Sequence, residues 1–153
     1  PYFVKAFKKR WYVVAYSPGT DDIRCYALDR MENVIISDKV FKMPKDLEPA
    51  EYFKDCFGII NNKDSEAQKV VLKVDAFQSN YIRNLPLHES QKEMKRTDEY
   101  SIFEYHLKPE FDFEQEIFFN MDTMEVLEPQ WLREEVSERL RNLAKKYKIC
   151  PSS

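Results

Sequence analysis

Glycine is nearly absent from this 153-residue chain, which has only Gly19 and Gly58. Phosphate-cradling loops of the Walker or dinucleotide type need several glycines within one turn, so both are excluded. Cysteine is sparse and odd in number: Cys25, Cys56 and Cys150 lie far apart, and no C-x-x-C pair exists. Neither a zinc ribbon nor a redox dithiol is supported, and reduced thiols in a cytoplasmic protein are the simplest expectation. No apolar run approaches the ~18–20 residues needed to span a bilayer, and no basic-then-apolar signal segment opens the chain. The first residue is Pro1 rather than methionine, so a piece of a longer protein is expected. Histidine is limited to His88 and His106. His88-Glu89 is followed by Ser90-Gln91-Lys92, so the H-E-x-x-H zinc motif fails. A Cys-His nucleophile pair stays open on spacing alone, because such pairs meet only in space. The carboxylates fall mostly in loops and helix first turns, where a solvated role suffices. No catalytic residue, cofactor or metal site is expected, and the chain is read as a non-enzyme.

What is present is ordinary in bulk and uneven in detail. Hydrophobic residues make up 43% and charged residues 33%, as in a soluble globular protein. Residues 1–45 carry a charge of +4 and residues 46–153 a charge of −7, for a total of −3. A basic front and an acidic back suggest two functional units, although an imbalance of this size also arises by chance.

The front reads as strands. Residues 2–7 (YFVKAF) are aromatic and β-branched, and 10–17 (RWYVVAYS) are apolar on both faces. A turn at 18–22 (PGTDD) precedes 23–30 (IRCYALDR), in which Arg24, Tyr26, Leu28 and Arg30 alternate with Ile23, Cys25 and Ala27. A further short strand is expected at 32–37. Short strands joined by tight turns suggest a small antiparallel barrel. Residues 40–49 read as a linker, and 49–58 as a short helix with Pro49 at its first position and Gly58 at its stop.

Behind residue 66 the pattern changes. Strand 68–75, helix 76–85, paired strands 87–96 and 99–108, helix 112–121 and strand 123–128 follow in order. A helix over 129–147 carries an apolar stripe of Leu132, Val136, Leu140, Leu143 and Tyr147, with its acids early and its bases late. The order β-α-β-β-α-β is the ferredoxin-like pattern with one added helix. The fold class is thus α+β. His88, Ser90 and Gln91 alternate along an expected strand that must pair, which favours a structural hydrogen-bond set over ligand contacts.

Arg24, Tyr26 and Arg30 are expected on one strand face, beside a strand that starts Arg10-Trp11-Tyr12. Cations interleaved with exposed rings suit a single-stranded nucleic acid or a nucleotide. The same residues also fit a structural reading, with Trp11 in the core, Tyr12 half-buried and Arg24 paired to Asp22.

Four stretches together, RWYVVAY (10–16), IRCYALDRM (23–31), NYIRNLPLHESQ (80–91) and VLEPQWLREEV (126–136), resemble the WYL-domain regulators of bacteria. More narrowly, they resemble the subgroup with a C-terminal extension called WCX. The Trp-Tyr-Leu motif stands here as Trp11-Tyr12-Val13. The resemblance covers nearly the whole chain, and it implies an Sm-like or SH3-like barrel over 1–45, a linker with a short helix over 46–66, and a ferredoxin-like WCX extension over 67–153. It implies an effector-sensing and oligomerising region of a transcription regulator that binds an anionic ligand, either single-stranded nucleic acid or a nucleotide. The basic and aromatic ligand face then falls on Arg10, Tyr12, Arg24 and Arg30, with Tyr26 nearby, and Trp11 is expected to turn to the core. The family's helix-turn-helix and its first barrel strand would lie upstream of Pro1. Operator DNA is therefore expected to be reached only through that missing domain. A homodimer is expected, through an unpaired strand edge. The alternative is a dimerisation module with no ligand of its own.

Overall fold

The computed structural model describes residues 1–149; Cys150 lies outside the described residues. Two antiparallel sheets are joined by a connector that packs against both. The front sheet is a meander of β1 (Phe3–Phe7), β2 (Arg10–Ser17) and β3 (Asp22–Ala27), in the order β1-β2-β3. Lys8 and Lys9 turn the chain between β1 and β2 with φ of 45° and 63°. Both angles positive is the signature of the tight turn whose twist matches a two-strand ribbon. The sheet stays open, with no closed barrel among the described residues.

Two front-half expectations fail. The strand expected over 23–30 ends at Ala27, and Leu28–Arg30 forms a 3₁₀ turn. Residues 32–37 form no strand, and Val34, Ile35 and Ile36 are exposed. β-branched residues favour a strand only where a partner and a half-buried face receive them, and no described strand edge does so here.

The expected helix over 49–58 shortens to α1 (Pro49–Tyr52), after which the chain continues in tight turns. Those turns place Phe53 and Cys56 under the front sheet, where they form a small core with Val14, edged by Phe3, Ile23, Cys25 and Tyr52. Gly58 does not end a helix, and its φ is not positive.

The back sheet runs in the order β5-β6-β4-β7, from β4 (Gln68–Asp75), β5 (Lys92–Arg96), β6 (Tyr100–Leu107) and β7 (Met124–Glu128). Register explains its core. Val70, Leu72 and Val74 of β4 pair with Tyr105, Phe103 and Ser101 of β6, so all six side chains share one face. Helices α2 (Ala76–Asn84), α3 (Phe111–Phe119) and α4 (Gln130–Lys146) add Ile82, Phe113, Ile117 and Leu132 to the same cluster. Each large apolar side chain so buried contributes about 1.5–3 kcal/mol. Edge strand β5 begins five residues later than expected, and its sequence KEMKR is exposed throughout. Charge along an edge discourages pairing with other chains. The α4 stripe is only partly used. Leu132 is fully buried and Val136 packs on the core, while Leu140, Leu143 and Tyr147 are exposed.

The two halves meet at Gly58. A Cβ there would lie 2.6 Å from the Phe7 ring, and closer still to the Asp112 carboxylate. Asp112, at the start of α3, is buried and accepts from the backbone N–H groups of Ile59 (2.9 Å) and Ile60 (3.2 Å). Phe7 meets Phe57 edge-on at 5.6 Å, and Phe57 meets Phe113 at 5.5 Å. Gly58→Ala should therefore lower stability by about 1–3 kcal/mol through overpacking. Gly19→Ala, with nothing within 4 Å of its Cβ, should change it by less than about 0.5 kcal/mol. Urea unfolding midpoints of the two variants check this, and equal midpoints would contradict it.

Candidate functional site

The β2–β3 register decides how the candidate ligand residues are arranged. Tyr12 pairs with Ala27 and Val14 with Cys25, whereas Val13 pairs with Tyr26 and Ala15 with Arg24. Directly paired residues share a face. Arg10, Tyr12 and Val14 therefore lie on the inner face with Cys25 and Ala27. Arg24 and Tyr26 lie on the outer face with Trp11, Val13 and Ala15. The single shared face expected for Arg10, Tyr12, Arg24, Tyr26 and Arg30 does not exist. Trp11 is also reversed: it is 56% exposed, while Tyr12 is half-buried on the side of the small core. The physical cause is Val14, which is fully buried against Phe53 and Cys56 and so fixes the phase of β2. A strand apolar on both faces leaves that phase open until a partner chooses it.

The 3₁₀ turn partly restores the expected grouping. By leaving the strand after Ala27, the chain carries Arg30 round the sheet edge. Arg10, Tyr12, Tyr26 and Arg30 then line one cleft of about 420 Å³, together with Cys25 and Ile59. Arg10 Nε lies 3.1 Å from Asp29 Oδ2, an exposed pair worth less than about 1 kcal/mol. Arg30 has no ion pair among the described residues. Arg24 lines a different cleft of about 550 Å³, with Asp22, Lys63, Asp64 and Glu110. Asp22 pairs with Lys63 rather than with Arg24. The Lys63 ammonium and the Ile23 N–H hold the Asp22 carboxyl below its usual range.

Sequence reasoning missed two members of this neighbourhood. Lys5 stands opposite Tyr12 on β1, and Ile59 reaches the cleft from the connector, where its carbonyl lies 3.3 Å from Cys25 Sγ. The Lys5–Tyr12 pairing follows from the Lys8-Lys9 turn, but that turn lacks the Asn or Gly that marks such hairpins, so the register carried no signal. Nothing in the sequence announced Ile59, because it depends on the connector's path.

His88, Ser90 and Gln91 sit in a turn before β5 rather than on a strand, and they form a connected hydrogen-bond set. Ser90 N–H donates to His88 Nδ1 (3.2 Å), which leaves Nε2 to donate to the Lys54 carbonyl (2.9 Å). Ser90 Oγ bonds the backbone of His106, accepting from its N–H at 2.8 Å and donating to its carbonyl at 3.0 Å. Gln91 donates to the Ile82 carbonyl (3.0 Å) and accepts from Tyr105 Oη (3.0 Å) and from the Leu87 N–H (3.1 Å). These three side chains tie the turn to the connector, α2 and β6.

The thiols are poorly placed for nucleophilic chemistry. Burial pushes Cys56 up to about 11 and also raises Cys25. The thiolate is the reactive form, so at about pH 8 Cys56 should react about a hundredfold more slowly than an unperturbed cysteine. Its rate should rise as pH is raised. Residue-resolved mass spectrometry after iodoacetamide treatment, native against urea-unfolded, checks this. Rapid native labelling of Cys56 near neutral pH would refute it.

Among the described residues, no helix is long and apolar enough to cross a membrane, and no cluster of three or more His, Cys, Asp or Glu is placed to hold a metal ion. Comparison with known families matches residues 1–36 to the WYL domain and residues 66–144 to the WCX domain. The first match contains Arg10, Tyr12, Arg24, Tyr26 and Arg30, and the second spans the whole back sheet. No curated protein matches the chain. The two domains are consistent with a region of a regulatory protein. On these matches, in this order and over most of its length, the chain belongs to the WYL/WCX-domain family.

Proposed function

We propose that this chain is the effector-sensing region of a transcription regulator, and that it binds an anionic ligand, single-stranded nucleic acid or a nucleotide, in the cleft of Arg10, Tyr12, Tyr26 and Arg30. The observation that carries the reading is that Arg10, Tyr12, Tyr26 and Arg30 all line that one cleft, with Arg30 lacking any ion pair among the described residues. Guanidinium forks match phosphate oxygens, and phenol rings give bases a stacking surface. On this reading the protein is a cytoplasmic binder rather than an enzyme, and operator DNA is contacted through a separate domain. The meander of the front half supports kinship with an Sm-like barrel. The order β5-β6-β4-β7, with α2 and α3 contributing to one core, supports a ferredoxin-like extension.

Fluorescence anisotropy with a short 5′-phosphorylated single strand tests the reading. Binding should appear at low salt and weaken as salt rises. Arg10→Ala and Arg30→Ala should each reduce affinity several-fold and lower the salt slope by about 0.7 per lost phosphate contact. Arg24→Ala, in the other cleft, should change affinity less. Absence of binding at low salt, or a double Arg10/Arg30 variant that binds like the parent, would sink the reading.

A second reading, dimerisation, is favoured by a separate observation. Val34 (75% exposed), Ile35 (84%), Ile36 (100%) and Val40 (93%) are apolar with no covering element among the described residues, and Leu140 and Leu143 of α4 are also exposed. Contiguous apolar surface of this kind marks contact sites. Sedimentation equilibrium at micromolar concentrations should show a dimer that Ile35→Asp/Ile36→Asp dissociates. A parent chain that sediments as a monomer would remove this reading.

A further inference from the structure

Lys5 is the one inner-face residue of β1 that does not belong in a core. Its neighbours on that face, Phe3 and Phe7, pack against Phe53 and Phe57. Its own ammonium lies 3.9 Å from the centroid of the Phe53 ring. Several lysines pair with carboxylates, Lys8 with Glu116, Lys54 with Glu51 and Lys69 with Glu128, and lysines unpaired among the described residues, such as Lys9, Lys39 and Lys92, are exposed to water. Lys5 has no ion pair among the described residues, although it is half-buried. Desolvation accordingly lowers its pKa, and the nearby Cys56 and Cys25 thiols and the Asp112 carboxylate offset that effect only in part. A partly desolvated cation held only by a ring face is an unfilled electrostatic position.

The space beside it is a cleft of about 540 Å³ between the front sheet and the turn before β5. Phe3, Phe53 and Phe57 line the front and connector side, while Pro86, Leu87 and His88 line the back. Of the other charged groups at the cleft, Lys54 is paired with Glu51 at 3.5 Å, and Glu89 is exposed. The His88 ring is occupied by Ser90 and the Lys54 carbonyl, so it is a wall rather than a free donor. The cleft therefore combines an unpaired, half-buried cation with mostly apolar side chains, and its unpaired carboxylate, Glu89, is exposed to water. Its volume falls within the range of small-molecule sites. One charge calls for a monoanion, and aromatic walls favour a flat ring.

We infer that this cleft binds a small aromatic monocarboxylate, with the carboxylate on Lys5 and the ring against Phe53 and Leu87. The site is separate from the Arg10–Arg30 cleft and asks for a different ligand: one charge and a ring rather than a chain of phosphates. Because Lys5 comes from the front half and Leu87 from the back, a bound ligand would touch both family domains at once.

The probe is 2-naphthoate, titrated into the ¹⁵N-labelled chain and followed by backbone amide shifts. Saturable shifts should centre on Lys5, Phe53 and His88. Lys5→Met, similar in volume but uncharged, should weaken binding by about tenfold or more, and Lys5→Arg should retain most of it. With the parent protein, 2-naphthalenemethanol, the same ring without charge, should also bind about tenfold more weakly, which tests the charge even if Lys5→Met fails to fold. Shifts centred on the 34–41 stretch or on Arg10 and Arg30, equal binding of acid and alcohol, or no saturable shifts would each overturn the inference.

Discussion

A chain of edge-on aromatic contacts holds this protein together. Phe7 of the front sheet meets Phe57 of the connector, Phe57 meets Phe113 of α3, and Phe113 meets Tyr105 in the back core, with ring separations of 5.6, 5.5 and 6.2 Å. Such pairs add about 0.5–1.5 kcal/mol each beyond the area they bury. The chain closes only because Gly58 lets the connector pass between the Phe7 ring and the Asp112 carboxylate. Asp112 then receives the two backbone N–H groups that the sharp turn would otherwise leave unpaired, a burial that is favourable only when such bonds are made.

That junction also determines what remains open on the front sheet. Three strands are too few to enclose a core, so the inner face depends on whatever packs beneath it. Phe53 and Cys56 cover Val14 and its neighbours. Around that cover the remaining inner-face residues are cations and a phenol: Lys5, set against the Phe53 ring, and Arg10 and Tyr12 beyond it. The clefts lie where the connector stops covering the sheet. A polar side chain on an inner face is tolerable only at such a margin, where water or a ligand can reach it. In the back half the same rule places Lys69 and Lys73 on the solvent face of β4, across from the core made by Val70, Leu72 and Val74.

The elements that were readable in advance are those whose pattern has one solution. β6 alternates in burial, β4 is a short β-branched run, α3 carries apolar residues at helical spacing, and α4 runs without a breaker from Gln130 to Lys146. The faces of Arg10, Tyr12, Arg24 and Tyr26 are not legible in the sequence because β2 is apolar on both sides, so either phase satisfies the pattern. The turn at Lys8-Lys9 hid the hairpin register, having no glycine or asparagine to mark it. Residues 32–37 have strand composition, yet pairing requires a partner edge, and composition cannot supply one. His88, Ser90 and Gln91 form a hydrogen-bond set, but they bond as a turn and not as an alternating strand.

The sequence by itself determined the inventory and the local grammar: few glycines and so no phosphate loop, a basic front and an acidic back, the order of strands and helices, and the residues that resemble the WYL and WCX domains. Those properties follow from composition and short-range spacing, which a linear string contains in full. Only the tertiary structure decided which side of β2 faces the connector, that Arg30 joins Arg10 by leaving the strand, that Arg24 goes elsewhere, and that Lys5 stands unmatched beside an aromatic cleft. Each of these depends on the path of residues 53–60 beneath the sheet, a long-range packing choice made by Phe57, Gly58 and Asp112 and invisible to any local pattern.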